Sequence, residues 1–214
     1  MSKERCLYDT QEKMQRELKI KMERRIEICG GIAAGKSTLT SLLERNGFSA
    51  VYERFEDNPF LKEFYQKGHD NALETELVFL LLHYNHLKGL GDENIIVSDY
   101  SLLQDYSYAL QNMQDDEVKV FDNVYQYLSK NLSPVDLVIY LKCGIDCLLR
   151  RICERKREDE KTISKEYLCR HIEVLEKVLQ SIDNVLIIDS ENYDFRGRDK
   201  NTVLDMIKKA IDQL

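Results

Sequence analysis

The sequence predicts an α/β fold: a five-stranded parallel sheet flanked by helices, with an arginine-rich lid. Three observations carry this. Short apolar runs alternate with longer helical patterns from Ile26 onward, as in parallel strands joined by crossover helices. The first run leads straight into "GGIAAGKSTL", where Gly30, four residues, Gly35, Lys36 and Ser37 have the spacing of a phosphate-binding loop. An arginine cluster, "RRICERKREDEK", follows the fourth run.

The candidate strands are "RIEIC", "SAVYE" ending near Glu53, "NIIVSD" ending at Asp99, "DLVIYLK" and "NVLIID". After the loop, "KSTLTSLLER" continues as a helix. In "EDNPFLKEFY", Asn58 is placed to cap a helix whose first position is Pro59. Pro134 precedes the fourth strand. No repeat, low-complexity tract or linker interrupts the pattern, so one domain is expected over residues 26–214, with a lid at about 150–163. Residues 1–25 read as a charged extension to which no function attaches.

Composition narrows the function. With 214 residues, 43% hydrophobic and 32% charged, the chain can bury a full core. A net charge of −7 argues against a nucleic-acid partner, and the longest apolar run, Leu77–Leu82, is too short for a bilayer. The six cysteines (Cys6, Cys29, Cys143, Cys147, Cys153, Cys169) form no CxxC pair, and the N-terminus lacks a secretory pattern. Reduced thiols in the cytoplasm are the expectation.

A strand running into glycines and then a helix lets successive backbone N–H groups and the helix N-terminus face an anion. Gly30, Gly31, Ile32, Ala33, Ala34, Gly35, Lys36, Ser37 and Thr38 form this candidate ATP site. Lys36 would reach the β and γ phosphates and the Ser37 hydroxyl would bind Mg2+. No guanine-reading NKxD segment is present, which counts against a GTPase. Arg151 and Arg155 share a helix face and Arg157 lies just beyond. A basic lid of this kind suits phosphoryl transfer to a small molecule, because it stabilises charge on the equatorial oxygens and excludes water. Glu53, Glu56 and Asp57 crowd the end of the second strand, a field that suits a neutral hydroxyl better than an incoming phosphate monoester. Such a hydroxyl needs a base, and Glu53 can supply it.

These motifs, taken in order, resemble the deoxynucleoside kinase family, in particular its bacterial deoxyguanosine and deoxyadenosine kinases. "GGIAAGKST" is similar to the family's phosphate loop and "ERFEDNPFLKEFY" to its base-bearing segment. "SDYSLLQDYSYA" resembles its acidic-arginine-serine segment, "RRICERKREDE" its lid and "DSENYDF" its adenine-side loop. The resemblance implies the P-loop kinase fold, a deoxynucleoside, preferably a purine, phosphorylated on its 5′-hydroxyl with ATP and Mg2+ in nucleotide salvage, and a homodimer. It implies that Glu53 is the general base and that Asp99 sits near the metal. Tyr65 and Glu160 would bind the sugar 3′-hydroxyl; Arg151, Arg155 and Arg157 would close on the phosphates. Asp194 and Phe195 would lie near the adenine.

Three positions depart from the family pattern. Tyr100 stands where most members have an arginine beside the 5′-hydroxyl. His83 replaces a base-pocket arginine, opposite Asp105 as its acidic partner, a pairing that would raise the histidine pKa. Glu76 replaces a glutamine, and as an ionised carboxylate it would accept from guanine N1–H and N2–H but donate nothing to adenine. Two other readings stay open: a non-catalytic nucleotide-binding regulatory protein, and a nucleoside monophosphate kinase.

Overall fold

The computed structural model describes residues 24–66, 70–88 and 95–214. Of the charged extension expected at 1–25, only Arg24 and Arg25 lie among the described residues, and both belong to the first strand. The five strands are β1 (Arg24–Gly30), β2 (Ser49–Val51), β3 (Ile95–Ser98), β4 (Leu137–Lys142) and β5 (Val185–Asp189). All pairings are parallel, in the order β2-β3-β1-β4-β5. β4 is apolar and buried in all but its last residue, as befits a central strand covered on both faces, whereas the equally buried β1 carries the paired charges of Arg25 and Glu27. β1 lies between β3 and β4, with the chain crossing to β2 and β3 on one side and then to β4 and β5 on the other, so the carboxyl end of β1 is the switch point where a ligand crevice opens.

The helices are α1 (Lys36–Glu44), α2 (Leu61–Gln66), α3 (Ala72–Lys88), α4 (Leu102–Asn112), α5 (Asp115–Ser129), α6 (Ile145–Arg155), α7 (Lys165–Leu179) and α8 (Lys200–Asp212). The main core gathers β1, β4 and α1 with Leu148 of α6, Leu168 of α7 and Val203 and Ile207 of α8. A second cluster joins α3 to α4 and α5 through Leu80, Ala109 and Phe121. This second layer walls the acceptor side of the crevice.

Two local details matter for the site. The helix expected to begin at Pro59 begins at Leu61 instead. Asn58 still caps, but it caps a turn: its Oδ1 accepts from Phe60 N at 3.1 Å while its amide donates to Thr75 O at 2.9 Å, tying the segment after Glu53 to α3. Beneath the crevice, Ser101 Oγ caps α4 by accepting from Leu103 N at 3.2 Å and donates to buried Glu27 Oε2 at 2.8 Å. Glu27 also pairs with Arg25 Nη2 at 3.1 Å, so β1 and the start of α4 are locked together where Asp99 and Tyr100 emerge.

Candidate active site

One cleft of about 990 Å³ runs along the carboxyl edge of the sheet, from Phe195 past the phosphate loop to Glu53 and on to Glu76. Its donor end is built by glycines at two decisive places. A Cβ on Gly30 would stand 2.7 Å from Leu141 O, so no side chain fits there. Gly35 has φ +105° and starts α1, pointing the first free amides of that helix at the cleft. Gly30 and Gly31 support the loop without lining the cleft, whereas the chain from Ile32 to Thr38 lines it.

Lys36 Nζ donates to Gly30 O at 3.1 Å, across its own loop. Burial holds this ammonium below its usual range, while Glu53 and Asp99 pull it back up. Phe195 packs its ring against Gly35, and Asp194 shapes the loop beside it by accepting from Arg196 N and Gly197 N at 3.0 and 3.1 Å. Gln104 is a participant the motifs did not reveal: its Oε1 accepts from Gly30 N at 2.8 Å and fixes the start of the loop. Its partner is 74 residues away, and no local pattern announces that.

Glu53 and Asp99 emerge at adjacent strand ends, as β2 and β3 pair in parallel. Asp99 Oδ1 accepts from Glu53 N at 2.6 Å, so one acid positions the backbone of the other. The Glu53 side chain remains 34% exposed to the cleft. Burial would raise its pKa, but His83, Lys36 and Arg157 outweigh that and hold it below the ordinary value. Asp99 is raised by burial and by Glu53, with the neighbouring Ser37 hydroxyl opposing. Glu56 and Asp57, expected to add acidity here, are exposed in a 3₁₀ turn and do not line the cleft.

At the acceptor end, Tyr65, Glu76, Tyr100 and Asp105 line the cleft together with Tyr108 and Phe79. Glu76 is not on a solvated face: it is 4% exposed, with Asn112 Nδ2 donating to its Oε1 at 3.1 Å. Burial, then Asp105, push this carboxyl up to about 8. The acceptor-only character expected of Glu76 is therefore corrected, since near neutrality the group also carries a proton to donate. His83 does not line the cleft; it lies behind Tyr100, stacked on that ring at 3.9 Å.

The lid helix α6 ends at Arg155, where Lys156 takes φ +54°. Arg151 donates to Ala34 O at 3.2 Å and Ser190 O at 2.6 Å, bracing the phosphate loop against the loop after β5. Arg155 makes a two-pronged ion pair with Glu160, and Arg157 Nη1 reaches the same carboxylate at 3.4 Å. Arg157 also lies over the Phe55 ring, 4.2 Å from its centroid. Thr162 Oγ1 donates to Tyr65 O at 3.1 Å, so the lid is latched to the acceptor side. Glu160 and Tyr65 are thereby brought to the same wall.

Residues 26–212 match the sequence profile of the family described as deoxynucleoside kinase. The chain belongs to the deoxynucleoside kinase family. Among its relatives, the deoxyguanosine kinase of Bacillus subtilis (strain 168) is 32% identical over 79% of this chain and 88% of that protein. The deoxyadenosine kinase of Lactobacillus acidophilus is 28% identical over 79% of this chain and 87% of that one. Among solved structures, deoxyadenosine kinase from M. mycoides with bound dCTP superposes with a TM-score of 0.74, at 24% identity, covering 89% of this chain and all of that one. As a deoxynucleoside kinase the protein is a phosphotransferase that uses ATP, and its phosphate loop, parallel sheet and lid agree with that membership.

Proposed function

We propose that the protein phosphorylates the 5′-hydroxyl of a purine deoxynucleoside, with ATP and Mg2+, as a step of nucleotide salvage. One observation carries the reading most: an ionised, cleft-exposed Glu53 sits between the phosphate-loop lysine and the polar acceptor pocket. Names of relatives at 26–32% identity, deoxyguanosine and deoxyadenosine kinases, support a purine.

In this reading the nucleoside lies with its base toward Glu76 and its sugar between Tyr65 and Glu160. Glu53 accepts the hydrogen bond of the 5′-hydroxyl. As the hydroxyl oxygen bonds to the γ-phosphorus, the bond to the β–γ bridging oxygen breaks, ADP departs with that electron pair, and the hydroxyl proton passes to Glu53. Lys36 and the amides at the start of α1 hold the phosphates, while Arg155 and Arg157 offset charge on the transferring group. The hard oxygen donors of Ser37 and Asp99 at the loop mouth suit Mg2+, which would neutralise the β and γ phosphates when bound. Residues 26–214 act as one domain. Apolar Leu81, Val120 and Tyr127, left exposed on α3 and α5, support a homodimer, and the reduced-thiol composition supports the cytoplasm.

The test is ATP consumption by purified protein with each natural deoxynucleoside and each monophosphate, with and without Mg2+. Turnover of deoxyguanosine or deoxyadenosine is expected. Turnover of monophosphates alone would overturn the acceptor assignment.

A further inference from the structure

We propose that His83 is a positioning residue for phosphoryl transfer, anchored on Asp105 and orienting the Glu53 carboxylate toward the acceptor hydroxyl. The proposal rests on Glu53 being the base. His83 lies on the buried face of α3 and is 2% exposed. Nδ1 is 2.8 Å from Asp105 Oδ2, and Nε2 is 3.5 Å from Glu53 Oε1. That second distance is an ion-pair contact, and among the described residues the buried Nε2 makes no hydrogen bond. The nitrogen is aimed at Glu53 with nothing else to satisfy it.

The ring is also unable to turn away. Tyr100 covers one face with centroids 3.9 Å apart and planes at 11°, and Phe79 stacks at 5.7 Å and 29°. The Tyr100 hydroxyl reaches back to His83 O at 3.4 Å. With both nitrogens turned to carboxylates and the ring stacked, His83 offers no edge to a nucleobase, unlike the base-pocket role expected from its position in the sequence.

Two carboxylates on opposite edges of one imidazole favour the doubly protonated ring, because each nitrogen then donates. Asp105 and Glu53 raise the pKa to about 10 in spite of burial. A cation there holds Glu53 below its ordinary pKa and opposes the burial that raises Asp105, while Lys36 and Arg157 face Glu53 from the donor and lid sides. The geometric consequence is specific. The last torsion of a glutamate is soft, so a half-exposed carboxylate free in a cleft would sample many orientations. Holding Oε1 leaves Oε2 directed to the hydroxyl.

His83→Phe keeps an aromatic ring between Tyr100 and Phe79 but removes both donors. It should lower kcat roughly 10- to 100-fold, the cost of a misplaced reacting group. The KM for nucleoside and the ranking of bases should hold, and His83→Gln, whose amide can donate to Glu53, should recover part of kcat. A raised KM with a reordered base preference and wild-type kcat would overturn the proposal in favour of base reading. Should His83→Phe fail to fold, Asp105→Leu, close in shape, removes the acceptor opposite Nδ1 and should reproduce the kcat loss; wild-type kcat there overturns the proposal. In a Glu53→Gln background, His83→Phe should cost nothing further. Additive losses on top of a crippled Glu53→Gln overturn positioning alone, whereas Glu53→Gln at full kcat removes the base itself and this role with it.

Discussion

Asn112 Nδ2 donates to Glu76 Oε1 at 3.1 Å, holding a carboxyl that burial raises to about 8. Below that pH the group is protonated and offers both a donor and an acceptor; above it, only acceptors remain. A protonated Glu76 can serve the N6–H and N7 of adenine, whereas the ionised form suits only the paired donors of guanine. The ratio of kcat/KM for deoxyguanosine over deoxyadenosine should therefore rise roughly tenfold between about pH 7 and pH 9, the effect of stranding one buried polar group. Glu76→Gln should accept deoxyadenosine with a ratio independent of pH. An identical pH profile in the two proteins would show that Glu76 does not read the base.

Glu53→Gln should lower kcat by roughly 10²- to 10⁴-fold, the usual effect of removing a positioned base. Nucleoside binding, measured by calorimetry, should change little because the amide has the same shape. Wild-type turnover would take Glu53 out of the mechanism.

The lid arginines should separate by role. Arg155 and Arg157 converge on Glu160 above the cleft, so Arg155→Ala and Arg157→Ala should reduce kcat more than they raise the nucleoside KM. Arg151 instead braces Ala34 and Ser190. Arg151→Ala should also raise the KM for ATP, since the loop loses its support. Steady-state kinetics with each substrate varied in turn distinguishes these outcomes, and three variants with the same KM effect alone would leave the arginines no part in the transfer step.

The parts legible from sequence are those encoded locally. Each of the five strands is legible as a short, mostly apolar run between helical patterns, most clearly β4, which is buried in all but its last residue. Glycines and Lys36 declare the phosphate loop within a few residues, and Glu53 and Asp99 stand at strand ends where such sheets place ligands. Gln104 on Gly30 and Ser101 on Glu27 were not legible, as each joins residues 74 apart. The stretch "LVFLLLHY" on α3 is apolar on so many sides that its pattern does not show which face is inward. The structure settles that face, and with it the burial of Glu76 and His83. Asn58 misled by one motif: its side chain caps a turn, and the helix waits until Leu61.

The raised Glu76 pKa also carries a stability consequence. In the unfolded chain this carboxyl has the ordinary value of 4.5, and in the folded protein about 8. Between these values the folded state holds a proton that the unfolded state has released. The stability this group contributes is thus fully present below about pH 4.5 and is lost as the pH rises towards 8. His83, raised from 6.5 to about 10, gives a slope of the same sign at higher pH, but it is common to wild type and to Glu76→Gln and cancels in the comparison. Melting temperatures of nucleoside-free protein between about pH 5 and pH 8 should therefore fall more steeply for wild type than for Glu76→Gln, with the variant gaining on wild type as the pH rises. Parallel curves would mean that Glu76 is ionised in the folded protein throughout this range. In that case its carboxylate would present acceptors alone at neutral pH, and the pH-dependent change in base preference would be lost with it.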